Sequence, residues 1–109
     1  MNGKELDKVF EALANAKRRG MLHTLAYRPA TLKQLADEFG LSLPAMHKHT
    51  KVLEGARLIQ RRKSGRTNYV AINRKSMSEA QRWTAQFNTA WGNDNETLGN
   101  YIASLEQGH

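Results

Sequence analysis

The sequence predicts a mainly α-helical domain of about five to six helices with one small β-hairpin, and three observations support this prediction. Apolar residues recur at helical spacing near both ends of the chain. Short polar residues and glycines stand where helices would begin and end. Between residues 58 and 72, two strand-like runs flank a glycine. A chain of 109 residues suits a single domain, residues 1–109, with one modest core.

Composition argues against several classes of protein. The chain has no cysteine, so disulfides, thiolate metal ligands and a cysteine nucleophile are excluded. It has no apolar run near the roughly 18 residues that a membrane span needs, and its amino terminus lacks the apolar stretch of a signal peptide. No glycine-rich phosphate loop, nucleophile elbow or spaced acid–base pair indicates an enzyme. We therefore expect a soluble, cytoplasmic protein that is not an enzyme and uses no cofactor.

Charge is distributed unevenly along the chain. Residues 1–75 hold 16 Lys and Arg against 6 Asp and Glu, whereas residues 76–109 hold 1 against 4. Nine of the cations fall between residues 42 and 75, where Glu54 is the single acid. A polyanion is the natural partner for such a segment. On charge alone, RNA or an acidic protein remains an alternative to DNA.

The first two helices follow from spacing and caps. The first has apolar residues at positions i, i+3, i+4 and i+7, which are Leu6, Val9, Phe10 and Leu13. Asn15 is a suitable N-cap for the second helix. That helix is expected to bury Met21, Leu22 and Leu25. It should end before the sequence YRPAT, because Pro29 disfavours helical geometry at the residue before it.

A second pair of helices follows closely. Thr31 can cap a short third helix, and Gly40 can form its left-handed C-terminal cap. The buried side of this helix is expected to be Leu32, Leu35, Ala36 and Phe39. Ser42 then caps a fourth helix, residues 43–56, with Pro44 in the first turn, where its missing N–H costs nothing. Two short helices joined by a tight turn, the second followed by basic residues, form the helix-turn-helix pattern.

The segment after the fourth helix is a predicted hairpin, residues 58–72. Its strands are LIQRRK and TNYVAI, and the intervening SGR contains Gly65, which can supply a positive φ. A helix-turn-helix followed by a basic hairpin is a winged helix. In that fold the second helix of the motif enters the DNA major groove, and the hairpin, or wing, lies against the flanking backbone or minor groove.

From about Val9 to Trp91 the chain resembles the ArsR-type winged-helix repressors. The matching segments are ALANAKRRGMLHTL, TLKQLADEFGLS, LPAMHKHTKVLE and GRTNYVAIN. The resemblance implies a dimeric transcriptional repressor that binds an operator of two-fold symmetry and is often released by a small ligand or metal. Thr50 stands at a usual leucine of the family, Arg57 at a usual glycine and Ala16 at a common proline. Arg57 must either accept a strained backbone angle or change the shape of the turn.

The fourth helix, which the resemblance makes the recognition helix, has two faces. Leu43, Met46, Thr50 and Leu53 share one side and should pack against the third helix. The other side is polar and basic. The residues expected to contact double-stranded DNA are Ser42, Pro44, Ala45, His47, Lys48 and Lys51 of this helix, Lys63 and Arg66 of the wing, and, as backbone contacts, Thr31, Gln34 and Arg62.

The pair His47 and His49 raises the alternative of a metal site. Residues two apart on a helix point about 200° apart, which argues against one ion shared by the two rings. We expect His47 to face DNA and His49 to face the protein or a phosphate. Metal-sensing relatives use thiolates where this chain has Thr31 and Lys33, or ligands on the helix after the wing, where it has Glu79 and no histidine. A metal-responsive repressor is the main alternative within the fold, although neither ligand set is present.

Two helices near the carboxyl terminus complete the prediction, with the sequence GNDN between them. The resemblance implies that the helix after the wing and the first helix form a homodimer interface, and segments 1–15 and 75–107 are expected to provide it. The expected interface residues are Leu6, Val9, Phe10, Met77, Ala80, Trp83, Phe87, Trp91, Leu98, Tyr101, Ile102 and Leu105. A two-fold dimer would set its recognition helices about 34 Å apart and read a palindrome. The sequence does not identify the operator or any effector.

Overall fold

The computed structural model describes residues 2–87 and 96–108. Within these ranges the chain forms six helices and three strands. In chain order they are α1 (Gly3–Leu13), α2 (Ala16–Tyr27), β1 (Ala30–Thr31), α3 (Leu32–Phe39), α4 (Leu43–Gly55), β2 (Ile59–Ser64), β3 (Thr67–Ile72), α5 (Arg74–Ala85) and α6 (Thr97–Gln107). The predicted winged helix-turn-helix architecture is therefore confirmed.

Side-chain caps set the helix boundaries, largely as predicted. The Asn15 side chain accepts the amide of Arg18 at the start of α2. The helix runs through Tyr27, one residue further than the sequence suggested, and the next residue is extended because Pro29 follows it. Gly40 adopts the predicted left-handed conformation, with φ of 62°, and ends α3.

The tight junction between α1 and α2 is held by guanidinium groups. Arg18 donates from Nε to the Ala12 carbonyl at 2.8 Å, and Arg19 donates to the Leu13 carbonyl at 2.7 Å. These carbonyls belong to the last turn of α1, which has no intrahelical donors for them. The first turn of α2 thus satisfies the end of α1 and fixes the angle between the two helices.

A three-stranded antiparallel sheet carries the wing, in the order β1-β3-β2. The hairpin of β2 and β3 was predicted, and Gly65 at its tip has a φ of 62°. Strand β1 was not predicted. Its two residues, Ala30 and Thr31, pair with Val70 and Tyr69 of β3 and so attach the wing to the start of the helix-turn-helix.

The five helices α1, α2, α3, α4 and α5 pack with the base of the sheet around a single hydrophobic core. Its side chains with the lowest exposure include Val9, Met21, Leu25, Leu35, Met46, Leu53, Leu58 and Val70. Val9 and Ala80 were expected at a dimer interface, but both side chains are buried in the core of the single chain. They are not part of its surface, because α1 and α5 turn these positions inward.

The two ends of the chain present apolar side chains outward. No residue of α6 is buried within the single chain, although Leu98, Ile102 and Leu105 lie on it. Trp91, another expected interface residue, lies outside the described residues. In the part of the chain that the structure describes, no helix is long and apolar enough to cross a membrane.

Candidate nucleic-acid interface

Helices α3 and α4 form the helix-turn-helix unit, and local chemistry fixes how they meet. Thr31 and Gln34 cap the start of α3 reciprocally, since each side chain accepts the backbone amide of the other at 2.9–3.0 Å. After the left-handed Gly40, the Ser42 hydroxyl accepts the Ala45 amide at 3.3 Å and starts α4. The turn between the helices is therefore only three residues long, residues 40–42.

Helix α4 separates an apolar face from a polar face. Met46, Thr50 and Leu53 are buried, as expected for the side that packs on the domain. The Thr50 hydroxyl donates to the Met46 carbonyl at 3.0 Å, so a polar group stands at this buried position without an unpaired hydrogen-bonding atom. The opposite side presents six of the residues predicted to contact DNA, namely Ser42, Pro44, Ala45, His47, Lys48 and Lys51. All are exposed except Ala45, which is half-buried.

Leu43 departs from the predicted core stripe. Its side chain is 48% exposed, although it shares helical spacing with Met46 and Thr50. Leu43 is the first residue of α4, where the helix extends beyond the core and borders a cleft instead. Its assignment to the core is therefore corrected to the surface.

A cleft of about 420 Å³ lies between the starts of α3 and α4 and the wing. We call it the wing cleft. It is lined by Thr31, Lys33, Leu43, His47, Arg66 and Asn68, among others. Three of the predicted DNA contacts, on three separate elements, thus border one opening. Lys33 and Asn68 also line it, and no sequence signal indicated that they would.

The cations of the wing are not equivalent. Arg61 is 3.4 Å from the Glu54 carboxylate, an exposed ion pair that ties β2 to α4. Lys63 lies opposite Asn68 and Arg62 opposite Tyr69, and directly opposed residues of an antiparallel pair share a face. Because neighbouring residues of a strand point to opposite faces, Arg62 and Lys63 face opposite sides of the wing.

His49 faces the protein, and its partial burial there lowers its pKa. The ring is half-buried, whereas that of His47 is exposed. Burial, followed by the positive charges of Arg18 and Lys17, lowers the pKa of His49 below its ordinary value of 6.5. Both cations are held in place by carbonyls, since Lys17 donates to Phe39 at 3.3 Å and Arg18 donates to Ala12. The two histidines therefore have separate environments.

The lowered pKa of His49 predicts an acid-sensitive fold. The unfolded chain binds this proton more readily than the folded chain, so the stabilisation is present above pH 6.5 and is lost as the pH falls through the lowered folded-state pKa. We expect the urea midpoint of the wild type to fall between about pH 7.5 and pH 5, and that of His49→Gln to fall less. Equal pH dependence of the two proteins would contradict this account of His49.

The residues described contain no group of three or more His, Asp or Glu side chains placed to hold a metal ion.

The exposed surface contains an aromatic cluster on α1 and α5. The Trp83 ring contacts Phe10 edge-to-face, with centroids 5.4 Å apart, and the Phe87 ring lies 4.9 Å from Trp83 beyond it. Trp83 and Phe87 remain 39% and 64% exposed, and both are predicted interface residues, as is Phe10.

A helix-turn-helix with a cationic second helix and an attached basic hairpin defines a winged-helix DNA-binding protein. A family model described as a helix-turn-helix domain matches residues 13–62. The HTH-type transcriptional regulator Rv2034 of Mycobacterium tuberculosis is 39% identical over 59 residues, 54% of this chain and 55% of that protein. The chain thus spans about half the length of that relative.

Two further matches cover most of the chain, and the second of them shows the family. The transcriptional repressor SdpR of Bacillus subtilis is 26% identical over 89 residues, 82% of this chain and 99% of that protein. The crystal structure of an ArsR family transcriptional regulator, RHA00566, superposes with a TM-score of 0.74 and 34% identity, covering 79% of this chain and 89% of that one. The chain belongs to the ArsR family of winged helix-turn-helix transcriptional regulators.

Proposed function

We propose that this protein represses transcription by binding a palindromic operator as a homodimer, through α4 and the wing. The observation that carries the proposal is the arrangement of exposed cations and imidazole around the wing cleft. His47 of α4 and Arg66 of the wing line this cleft, and Lys48 and Lys51 are exposed on the same helix as His47. Such a surface fits the phosphates and base edges of a duplex.

On α4, position along the helix assigns the roles. Residues near the amino-terminal end of a recognition helix reach base edges, so Pro44, Ala45 and His47 are the base-reading candidates. Ala45 suits a thymine methyl group, and His47 can donate to a purine N7 or a phosphate. Lys48 and Lys51 contact guanine edges or phosphates from the exposed face. The Ser42 hydroxyl accepts the Ala45 amide in the helix cap, and its O–H remains free to donate to a phosphate.

On the wing, Arg66 borders the wing cleft. Lys63 lies opposite Asn68 and lines a separate opening with Glu54 and Arg61. We assign phosphate contacts to both Arg66 and Lys63. Arg62 lies on the opposite face of the wing from Lys63 and contacts the flanking backbone. In the cap of α3 the Thr31 and Gln34 side chains act as acceptors, so we propose that the Thr31 O–H and the Gln34 side-chain NH2 donate to a DNA phosphate.

For the dimer, we propose that segments 1–15 and 75–107 pack against the same segments of a second chain. The supporting observation is the exposed aromatic cluster of Phe10, Trp83 and Phe87, since aromatic side chains are enriched in the buried centres of interfaces. Leu6 and Met77 lie half-buried on the same two helices. We propose that the apolar side of α6, where Leu98, Tyr101, Ile102 and Leu105 are all exposed, packs in the same interface.

Fluorescence anisotropy with a labelled duplex tests the proposal. The duplex from the promoter of the protein's own operon is compared with a random duplex of equal length, at two salt concentrations. We expect the promoter duplex to bind more tightly at both, with a difference that survives the higher salt, because base contacts add to the salt-dependent phosphate contacts. Equal affinity for both duplexes would contradict operator recognition and indicate generic attraction to polyanions.

Replacing Lys51 by alanine removes one exposed cation from α4. We expect the variant to bind all duplexes more weakly by a similar factor, and the slope of log K against log salt to become shallower by about 0.9 for the lost phosphate contact. Lys4→Ala, which removes a cation from α1, is the matched control and should keep the wild-type slope. Full affinity and full slope in Lys51→Ala would mean that α4 does not lie against DNA as proposed.

A further inference from the structure

A second cleft, of about 470 Å³, lies where the carboxyl-terminal end of α4 meets the first turn of α5 and one side of α1. We call it the junction cleft. Three cations line it, Lys8 of α1, Arg57 after α4 and Lys75 of α5. Lys8 and Lys75 lie on the proposed dimer helices, but none of the three cations is among the side chains assigned to DNA contact or to the dimer interface. We propose that the junction cleft binds a small oxyanion, the phosphate or carboxylate group of a ligand.

The environment of the Ser76 hydroxyl points to a ligand. This residue of α5 is only 7% exposed and lines the cleft. Its hydroxyl makes no hydrogen bond within the described residues, and among them no side-chain polar atom is both unpaired and sealed from solvent. The hydroxyl oxygen, which has no protein partner among the described residues, is therefore reached by solvent, and Ser76 lines the cleft. An oxyanion bound in the cleft can accept a hydrogen bond from this hydroxyl in place of water.

The first turn of α5 adds further donors beside Ser76. The Asn73 side chain accepts the Lys75 amide at 3.2 Å, and the other amides of this turn have no intrahelical acceptor. The amino-terminal end of a 12-residue helix also carries a partial positive charge. Free amides, a hydroxyl and ammonium groups at one opening form a site for an anion.

The backbone of Arg57 is strained at the edge of the junction cleft. Its φ of 59° makes it the single non-glycine residue with positive φ in residues 2–87 and 96–108. Glycine would adopt this conformation without strain, so arginine here costs stability. Backbone strain of this kind clusters at functional sites, and Arg57 borders the cleft.

Two carboxylates also line the junction cleft, and they affect how substitutions should change oxyanion binding. Glu5 accepts the Asn2 amide at 3.3 Å, so it is engaged in the cap of α1. Glu79 of α5 borders the same opening, and its negative charge opposes an anion. Neutralising Glu79 should therefore tighten oxyanion binding, whereas removing Lys8 or the Ser76 hydroxyl should weaken it.

A nitrogen-15 NMR titration of the full chain tests the site. Inorganic phosphate, succinate and sodium chloride are added in separate experiments at matched ionic strength. We expect saturable shifts of the amides of residues 55–57 and 74–77 with phosphate or succinate and none with chloride. Saturation by phosphate alone would assign a phosphate ligand, and saturation by succinate alone would assign a carboxylate. Shifts that never saturate, or that centre on residues 47–51 and the wing, would overturn the proposal.

Variants separate the site from general charge effects. Ser76→Ala should weaken oxyanion binding by about tenfold, because it removes a hydrogen bond to a charged group. Glu79→Gln should strengthen binding, and Lys4→Ala, an exposed cation of α1 outside the cleft, should leave it unchanged. Unaltered affinity in Ser76→Ala would contradict the site. If that variant does not fold, the opposite shifts expected of Lys8→Ala and Glu79→Gln decide the question.

The position of the cleft links it to the proposed function. Its walls belong to the recognition helix on one side and to α1 and α5, the proposed dimer helices, on the other. A ligand that favours one arrangement of these helices changes DNA affinity, and DNA changes ligand affinity by the same factor. We expect the effective oxyanion to shift operator affinity at least about threefold relative to matched chloride in wild type but not in Ser76→Ala. Equal shifts in both would remove this coupling while leaving the NMR result intact.

Discussion

Replacing Trp83 by aspartate is expected to give folded monomers that bind the operator at least about 100-fold more weakly than wild type. Trp83 lies between the Phe10 and Phe87 rings, at the centre of the exposed aromatic cluster. Tryptophan contributes strongly to interfaces, and a carboxylate there would be buried without a partner. A monomer holds one half-site at a time, so it loses the gain from binding two linked half-sites.

The fold should survive this change because α5 is attached through other residues. Ala80 and Ser76 are buried on its inner side, whereas Trp83 is 39% exposed. Sedimentation velocity gives the mass, circular dichroism the helix content, and anisotropy the operator affinity. Gln81→Asp introduces the same charge at an exposed position two residues away and should stay dimeric. A dimeric Trp83→Asp with wild-type operator affinity would place the interface elsewhere.

Much of the fold was predictable because its boundaries are local. Asn15, Thr31 and Ser42 each accept an amide three residues ahead, an interaction that needs no information from the rest of the chain. Gly40 and Gly65 take the positive φ that their positions require. Where a helix or hairpin is ended by its own chemistry, a single sequence is enough to place it within about a residue or two.

The features that the sequence did not predict correctly depend on contacts between distant parts of the chain. Strand β1 has two residues and no alternating pattern, and it is ordered by pairing with residues 69 and 70. Leu43 fits the apolar spacing of α4, but spacing gives direction only and does not show how far the neighbouring helix extends. The same reason applies to Val9 and Ala80, whose apolar character fits a core and an interface equally.

The sequence predicted which residues belong to the candidate site better than it predicted how they are arranged in space. Exposure of His47, Lys48 and Lys51 followed from the face they share on α4. The separation of Arg62 and Lys63 onto two faces of the wing depends on strand alternation, which the sequence contained but which did not enter the prediction. The two clefts join segments that are far apart in sequence, so no local pattern indicates them.

Two leucines of α4 give the second large prediction, because they have the same chemistry and different environments. Leu53 is fully buried in the core, and replacing it by alanine should lower the free energy of unfolding by about 3 kcal/mol. The cost combines lost apolar burial with the cavity left behind. The melting temperature should fall by roughly 10 °C or more, measured by circular dichroism or calorimetry.

Leu43→Ala, at the exposed start of the same helix, should change the free energy of unfolding by no more than about 0.5 kcal/mol. Its effect should appear in DNA binding, because Leu43 borders the wing cleft beside His47 and Arg66, where an apolar side chain can contact a thymine methyl group. We therefore expect Leu43→Ala to melt like wild type and bind the operator more weakly. A large loss of stability in Leu43→Ala would instead return this residue to the core, and the first turn of α4 would then lie closer to α3 than the structure shows.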